Sequence, residues 1–182
     1  MADEIFEKME IKNVVATYNV GIKLDLLDIY RRTRNSEYSP QTFIGMKMTM
    51  RFPKCTARIF NSGKVVVVGT KSEVDARLGS HKFAKLIQKL GYEVEFKDFT
   101  ICNIVGVIDV RFPIGLEDLN NGHMQFTKYE PEIFPALYYR LPTMLFLIYA
   151  SGKLVVTGAK SVAAIKEGFA IIYAALAPFK RD

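Results

Sequence analysis

Residues Ser62-Gly-Lys-Val-Val-Val-Val-Gly-Thr-Lys71 return 89 positions later as Ser151-Gly-Lys-Leu-Val-Val-Thr-Gly-Ala-Lys160. Ile11-Lys-Asn-Val-Val15 returns in the same way as Ile101-Cys-Asn-Ile-Val105. Matching landmarks in one order and at nearly one offset predict two copies of a unit of roughly ninety residues. Two copies favour a molecule with pseudo-two-fold symmetry, because stacked repeat proteins usually need three or more units.

Each unit is expected to carry a strand, a short helix, three strands and a long helix in the same order. In the first unit the periodicity predicts strands over Val14–Val20, Thr42–Arg51, Lys54–Asn61 and Lys64–Thr70, and helices over Lys23–Tyr30 and Ser72–Leu90. The Asn61-Ser-Gly63 turn indicates that the last two of these strands pair in antiparallel fashion. The second unit is predicted to end in a helix over Ser161–Leu176. The fold class is therefore α+β, with one antiparallel sheet and helices on one of its faces.

The long helix of the first unit has clear boundary signals. Ser72 is the expected N-cap and Gly91 the C-terminal stop. Apolar residues mostly three or four apart predict the stripe that packs on the sheet: Val74, Leu78, Phe83, Leu86, Ile87 and Leu90.

Both faces of the predicted sheet are apolar. If Val65 and Val67 meet the helices, Val66 and Val68 must point away from them, because alternate residues of a strand face opposite sides. A sheet covered on one side only is ordinarily polar on the other. The uncovered apolar face therefore indicates a partner surface, with a second layer or a dimer mate as the alternative.

The composition limits the class of protein. The 182 residues are 49% hydrophobic, enough for a real core, and carry a net charge of +6, which fits a polyanionic partner. Cys55 and Cys102 lack the number and spacing of a disulfide framework or a zinc site, so we expect free thiols in a reducing compartment. The apolar run Met144–Ala150 is too short to span a bilayer, and no signal peptide is visible.

The sequence carries no pattern of an enzyme active site. His81 and His123 stand alone, without a nucleophile or an orienting acid nearby in sequence. A phosphate-binding glycine loop and a metal-ligand pattern are both missing. We therefore expect a non-enzymatic protein without metal or cofactor.

Longer phrases in both units resemble the core of the TATA-box-binding protein family, over about residues 11 to 179. They are Lys23-Leu-Asp-Leu26, Arg34-Asn-Ser-Glu-Tyr-Ser-Pro40, Ile59-Phe-Asn-Ser-Gly-Lys64, Gln88-Lys-Leu-Gly91, Tyr129-Glu-Pro-Glu-Ile-Phe-Pro135 and Ser151–Lys160. The resemblance implies a saddle: one curved antiparallel sheet with helices on its convex face, built from repeats over 11–100 and 101–182 after a short N-terminal extension, residues 1–10. It implies a general transcription initiation factor whose concave face binds and bends A·T-rich promoter DNA and which nucleates the preinitiation complex.

The resemblance also assigns the residues that meet base edges in the minor groove, where A·T pairs display only acceptors. Asn13 and Asn103 would hydrogen-bond base edges, and Thr157 would supply a hydroxyl. The apolar contacts would come from Val15, Val66, Val105, Leu147 and Val155. An asparagine at a strand end is the alternative reading of each amide, but a pair 90 residues apart in matching phrases favours DNA contact.

Four aromatic residues match the family's wedges, which unstack base steps and kink DNA. They are Phe43 with Phe60 in the first unit and Phe134 with Tyr149 in the second. Phosphate contacts are expected from Lys64, Lys153, Arg140 and the edge strand that carries Lys47 and Arg51, although a solvated charged edge would have the same sequence.

Several positions depart from the family. Arg58 replaces a usual leucine, so its guanidinium would enter the groove or reach a phosphate. Val68 replaces a threonine and Tyr149 a phenylalanine, and Arg140–Met144 is two residues shorter than usual. These changes bear on DNA affinity and leave the fold prediction intact.

Protein partners follow from the resemblance as well. Tyr129, Glu130, Glu132 and Ile133 match the loop that receives general transcription factor B. The helix with Arg77, His81, Lys82, Lys85 and Lys89 matches a basic surface used by regulators, with plain solvation as its alternative. Transcription factor A, TATA-box-binding-protein-associated factors and the RNA polymerase machinery complete the expected partners, with a homodimer in the absence of DNA. Archaeal relatives are typically acidic, so the basic charge points to a eukaryotic nuclear protein.

Two other functions stay open at this point. A divergent member could act mainly as a protein scaffold with weak DNA binding, because Arg58, Val68 and the short 140–144 turn alter the DNA face. The exposed sheet could instead hold a hydrophobic small molecule. Salt-dependent binding to an A·T-rich duplex separates the DNA-binding function from both of these alternatives, because counterion release requires phosphate contacts.

Overall fold

The computed structural model describes all residues from Met1 to Asp182 and divides into two compact units. The first unit spans residues 13–102, and the second combines residues 1–12 with residues 103–182. The first unit contains β1 (Glu10–Asn19, from Asn13 onward), α2 (Leu26–Arg31), β2 (Ser36–Glu37), β3 (Met46–Arg51), β4 (Lys54–Ile59), β5 (Lys64–Thr70) and α3 (Glu73–Lys89). The second contains α1 (Ala2–Phe6), β6 (Lys97–Asp109, from Asn103 onward), α4 (Leu116–Gly122), β7 (Thr127–Lys128), β8 (Leu137–Arg140), β9 (Leu145–Ile148), β10 (Lys153–Ala159) and α5 (Val162–Leu176).

The strands of each unit follow the same antiparallel order. In the first unit the order is β2-β3-β4-β5-β1, and in the second it is β7-β8-β9-β10-β6. The register places Arg58 opposite Val66 in the first unit and Leu147 opposite Val155 in the second. The predicted hairpins are therefore present, and equivalent residues of the two units can be compared position by position.

Two glycines close the equivalent turns before β5 and β10. Gly63 has φ +93° and Gly152 has φ +95°, a backbone conformation that disfavours other residues. A Cβ atom at either position would also run into a backbone carbonyl, that of Ile22 or of Phe112. The repeated Ser-Gly-Lys motif is thus explained by a turn that only glycine can make at this place.

Helix α3 packs on its sheet through smaller residues than the sequence predicts. Ser72 is the N-cap as expected, and its hydroxyl accepts a hydrogen bond from the Asp75 N–H at 3.0 Å. The predicted stripe is wrong at Val74 and Leu78, which are 76% and 45% exposed. The buried stripe consists of Ala76, Gly79, Ser80, Phe83, Ala84 and Ile87. A Cβ at Gly79 would lie 2.9 Å from the Cys55 sulfur, so small residues let this helix approach the sheet closely.

Helix α5 covers the second sheet and receives the N-terminal helix α1. Ser161 caps it by accepting a hydrogen bond from the Ala164 N–H at 3.0 Å. Phe6 packs on Phe169 with ring centroids 5.9 Å apart. By length and composition alone, the helical segment Val162–Phe179 is apolar enough to cross a membrane. It holds no uninterrupted apolar run of that length, so the apolar runs of the sequence do not indicate it. Ile165, Phe169, Ile172 and Leu176 of this helix are buried in the core of the unit.

Some predicted boundaries differ from the structure. Residues 42–45 form a turn, so β3 begins at Met46 and not at Thr42. Helix α2 begins at Leu26 because Asp25 caps it, accepting a hydrogen bond from the Asp28 N–H at 3.1 Å. Helix α1 and the two-residue strands β2 and β7 were not predicted, because such short elements carry too little periodic signal.

Candidate nucleic-acid interface

Each sheet has a face that no helix covers, here called its free face. In β5, Val65 and Val67 are fully buried on the helix side, whereas Val66 and Val68 are only half-buried. In β10, Leu154 and Val156 are buried in the same way, and Val155 and Thr157 are not. The predicted alternation is therefore present in both units.

The two asparagines occupy equivalent places with equivalent hydrogen bonds. Asn13 Oδ1 accepts from the Gly69 N–H at 2.8 Å, and Asn103 Oδ1 accepts from the Gly158 N–H at 2.7 Å. A backbone N–H can only donate, so it fixes which end of each amide is the oxygen. The amide NH₂ groups therefore point away from these bonds as oriented donors.

The four predicted wedge residues form one pair in each unit. Phe43 and Phe60 pack edge to face with ring centroids 5.7 Å apart. Phe134 and Tyr149 pack in the same manner at 6.4 Å. Phe43 and Phe134 lie in the turns before β3 and β8, whereas Phe60 and Tyr149 directly follow β4 and β9. The chain therefore holds two partly exposed aromatic pairs, each close to its free face.

The first aromatic pair lies against a glycine. A Cβ built on Gly45 would lie 2.7 Å from Phe43 Cε1 and 3.1 Å from Phe60 Cε1. The equivalent residue of the second unit is Ala136, which carries that atom. Glycine at position 45 thus leaves to the Phe43 and Phe60 rings the space that a Cβ atom would occupy.

The free face of the first unit is rich in basic and hydroxyl side chains. Lys47 lies opposite Arg58, and Thr49 opposite Thr56. Arg51, Arg58 and Lys64 are exposed, as the prediction of phosphate contacts requires. The guanidinium carbon of Arg58 lies 5.6 Å from the centroid of the Phe43 ring.

The free face of the second unit is more apolar. Leu147 lies between Val155 of β10 and Tyr138 of β8, and Thr157 lies opposite Leu145. Val105 and Val107 of β6 are half-buried on the same face, and Arg140 and Lys153 are exposed. Sequence reasoning missed free-face residues that strand alternation alone would have found: Thr17, Thr56, Val107, Tyr138 and Leu145.

The residues predicted to meet protein partners lie away from the free faces. Tyr129, Glu130, Glu132 and Ile133 form the turn between β7 and β8, where Ile133 is 79% exposed. On α3, Arg77 stacks on Phe99 at 4.3 Å. The Lys82 ammonium donates to the Phe52 carbonyl at 2.7 Å, and Lys85 and Lys89 are exposed.

Two groups with strongly perturbed acidity lie on the helix side. Burial raises the pKa of the Cys55 thiol to about 11, with the Asp75 carboxylate adding to the shift. Burial also raises the pKa of Tyr18. No group of three His, Cys, Asp or Glu residues has the arrangement of a metal site. The free faces combine oriented donors, aromatic rings and cations, which is chemistry suited to recognising a polyanion.

Comparison with known proteins agrees with this geometry. The family model "Transcription factor TFIID (or TATA-binding protein, TBP)" matches residues 8–90 and 98–179, one match for each repeat. A "TBP-related factor" of Drosophila melanogaster is 51% identical over 85% of this chain and 70% of its own length. A "TATA-box-binding protein" of Saccharomyces cerevisiae is 49% identical over 94% of this chain and 72% of its own length.

A solved archaeal structure shows the same fold. The structure named "Methanococcus jannaschii TBP" superposes with a TM-score of 0.81 at 33% sequence identity, covering 92% of this chain and 97% of the other. The predicted fold class and the predicted family are both confirmed. Curated relatives from fungi, animals and an alga are about half identical to this chain, which agrees with the expected eukaryotic character.

Proposed function

This chain belongs to the TATA-binding protein family, and we propose that it binds the minor groove of A·T-rich promoter DNA to initiate transcription. The observation that carries the proposal is the pair of oriented amides. The side-chain oxygens of Asn13 and Asn103 accept hydrogen bonds from the Gly69 and Gly158 N–H groups. The amide NH₂ groups are therefore the donors that face outward. The minor groove of an A·T pair presents only acceptors, adenine N3 and thymine O2, so the match is complementary.

Discrimination against G·C pairs follows from the apolar residues around the amides. A guanine places its 2-amino donor in the groove, where it would face half-buried valines and a leucine without an acceptor. A buried donor without a partner costs about 1–3 kcal/mol. The residues assigned to this role are Val15, Val66, Val68, Val105, Leu147 and Val155, with Thr157 adding a hydroxyl.

The aromatic pairs account for bending. Phe43 with Phe60, and Phe134 with Tyr149, each place two rings close to one free face. Apolar side chains inserted at base steps unstack them and kink the duplex, and TATA-binding protein is itself a standard example of this mechanism. Tyr149 carries its hydroxyl into that position, where the hydroxyl needs a hydrogen-bond partner or water.

The basic side chains would neutralise phosphates and fix the register on DNA without reading sequence. Those assigned are Arg51, Lys64, Arg140 and Lys153, all exposed. Arg58 belongs to the DNA-contacting set as well. Each phosphate contact releases counterions, so affinity should fall as salt rises.

We assign protein partners to surfaces outside the free faces. Glu130 and Glu132 would offer carboxylates to general transcription factor B, with Tyr129 and the exposed Ile133 beside them. The basic row Arg77, Lys82, Lys85 and Lys89 on α3 would receive regulators, and transcription factor A and associated factors are further partners that we propose. The same proposal includes a nuclear location, recruitment of RNA polymerase and homodimers in the absence of DNA. It also includes two functional repeats, over residues 11–100 and 101–182, after the N-terminal extension of residues 1–10.

Fluorescence anisotropy tests the proposal directly. A labelled TATA duplex, a G·C-rich control and a duplex with inosine·cytosine in place of A·T are titrated at several salt concentrations. Inosine lacks the 2-amino group, so its pair presents the minor-groove pattern of A·T while its major groove resembles that of G·C. We expect tight binding to the TATA and inosine duplexes, weak binding to the G·C duplex, and a steep loss of affinity with salt. Equal affinity for all three duplexes would exclude minor-groove reading.

A second function is a protein scaffold with weak DNA binding. It is favoured by the charge of Arg58, by Val68 in place of the hydroxyl that Thr157 supplies in the second unit, and by the short turn between β8 and β9. If all duplexes bind weakly and equally while general transcription factor B binds without DNA, the scaffold function takes precedence.

A further inference from the structure

Arg58 breaks the pseudo-symmetry of the two free faces. In the first unit it lies on β4, between Lys47 of β3 and Val66 of β5. The equivalent position on β9 holds Leu147, which lies between Tyr138 and Val155. One position thus presents a guanidinium in the first unit and an apolar branched side chain in the second.

The guanidinium of Arg58 lies beside the aromatic pair of its own unit. Its carbon is 5.6 Å from the centroid of the Phe43 ring, within the range of a cation–π contact. Phe43 in turn packs on Phe60 at 5.7 Å. The nearest cross-strand charge is that of Lys47, which forms its own ion pair with Glu37 at 3.5 Å. The cation–π contact therefore holds the guanidinium beside the ring, and its charge remains for a ligand.

We propose that Arg58 is a base-reading residue, whose guanidinium donates hydrogen bonds to minor-groove acceptors next to the step that Phe43 and Phe60 enter. This inference rests on the proposed DNA binding of the free faces. It adds a second polar reader of adenine N3 and thymine O2 beside Asn13 in the first unit, whereas the equivalent position of the second unit holds the apolar Leu147. The two halves of a DNA site would then have unequal sequence requirements.

The position in the sheet favours base edges over phosphates as the target. Arg58 lies on β4, an interior strand with neighbours on both sides, whereas Lys64 and Arg51 lie at strand ends. Phosphates line the rims of the groove, and the acceptors lie on its floor. A guanidinium held beside a wedge ring would meet the floor at the unstacked step, and its planar fork matches paired acceptors. A·T-rich minor grooves also attract arginine through their negative potential.

Atom-specific DNA analogues test the assignment. A TATA duplex is scanned with 3-deazaadenine, which lacks the N3 acceptor, and with 2-thiothymine, which weakens the O2 acceptor. We expect wild-type protein to lose about tenfold to hundredfold affinity at one or two positions in one half of the site, as for a hydrogen bond to a charged donor. Arg58→Leu, which installs the residue of the second unit, should bind the analogue and the normal duplex equally well at those one or two positions. At the positions read by the asparagine amides, the variant should lose as much affinity to the analogue as the wild-type protein does.

Two further variants separate charge from geometry. Lys47→Leu removes a neighbouring charge on the same face and should keep every positional penalty. Arg58→Lys keeps the charge without the planar fork, so it should lose less affinity than the wild-type protein to the analogues at the same positions. This variant also tests the assignment if Arg58→Leu fails to fold.

Other outcomes overturn the inference. If Arg58→Leu shows every positional penalty of the wild type but a salt slope shallower by about 0.9, Arg58 contacts a phosphate. If neither penalty nor slope changes, Arg58 does not contact DNA. Failure of the wild-type protein to prefer the TATA duplex would remove the proposed function together with this inference, whereas the first two results remove the inference alone.

Discussion

The side-chain oxygen of Asn13 lies 2.8 Å from the backbone nitrogen of Gly69 and accepts its hydrogen bond. Asn13→Asp should keep this bond, because a carboxylate oxygen also accepts, but it replaces the outward NH₂ donors with an acceptor. We expect DNA affinity to fall about tenfold or more, with little change in the unfolding temperature. Anisotropy titration measures the loss, and Gln88→Glu on α3 controls for the added charge. Equal losses in both variants would mean that net charge alone is responsible.

Gly45→Ala should displace the Phe43 ring, because the new methyl group would lie 2.7 Å from Phe43 Cε1. The ring is the far end of a movable side chain, so we expect folding to survive and DNA bending to decrease. Energy transfer between dyes at the two ends of a TATA duplex measures the bend. Phe43→Ala serves as the reference for complete loss of the ring. An unchanged bend angle in both variants would remove Phe43 from the wedge residues.

Tyr18→Phe should stabilise the protein. The Tyr18 hydroxyl is buried and has no hydrogen-bond partner, and a polar group in that state costs about 1–3 kcal/mol. We expect the free energy of unfolding in urea to rise by about 1 kcal/mol. Tyr139→Phe is the matched control, because its hydroxyl is hydrogen-bonded to His123 Nδ1 at 2.9 Å, and its loss should destabilise. A loss of stability in Tyr18→Phe would show that its hydroxyl has a partner.

Cys55 should make stability fall in alkaline solution. Its pKa in the folded protein is about 11, whereas the pKa of a thiol in the unfolded chain is about 8.5. The unfolded chain therefore loses this proton first, so the contribution of Cys55 is complete below about pH 8.5 and is lost as pH rises towards 11. The stability difference between wild type and Cys55→Ala should be constant up to pH 8 and shrink above it.

At pH 8 a thiol reagent should modify Cys102 readily and Cys55 slowly; rapid reaction of both would contradict the burial of Cys55.

Lys64→Gln should weaken binding to every DNA sequence and make the salt dependence shallower. Loss of one phosphate contact reduces the slope of log K against log salt by about 0.9. Lys153→Gln should do the same, because it occupies the equivalent turn of the second unit. Lys89→Gln on α3 should leave the slope unchanged. A wild-type slope in Lys64→Gln would remove that residue from the phosphate contacts.

Much of the fold could be predicted from the sequence because its signals are local. Strand alternation over Lys64–Thr70 predicts both the boundaries and the two faces of β5, and the structure agrees. The caps Ser72 and Ser161 act within four residues of themselves, so they too are visible in sequence. The short elements β2, β7 and α1 were missed because two to five residues carry no period.

The candidate site was found less completely, for a different reason. The paired landmarks pointed to Asn13 and Asn103, but their amide orientation depends on Gly69 and Gly158, which lie 56 and 55 residues away. The cation–π contact of Arg58 with Phe43 likewise joins residues that are not close in sequence. Sequence reasoning named both residues but had no means of relating them.

The amino-acid sequence alone determined the duplication, the alternation of each strand, the helix caps and the glycine turns, because each depends on neighbours along the chain. The tertiary structure alone decided that α3 buries Ala76 and Gly79 instead of Val74 and Leu78, since the approach of a helix to a sheet selects the smallest residues at the contact. It also decided the direction of the Asn13 amide and the position of Arg58 over the Phe43 ring. Those features require strands and turns distant in sequence to meet in register, and no local pattern encodes that meeting.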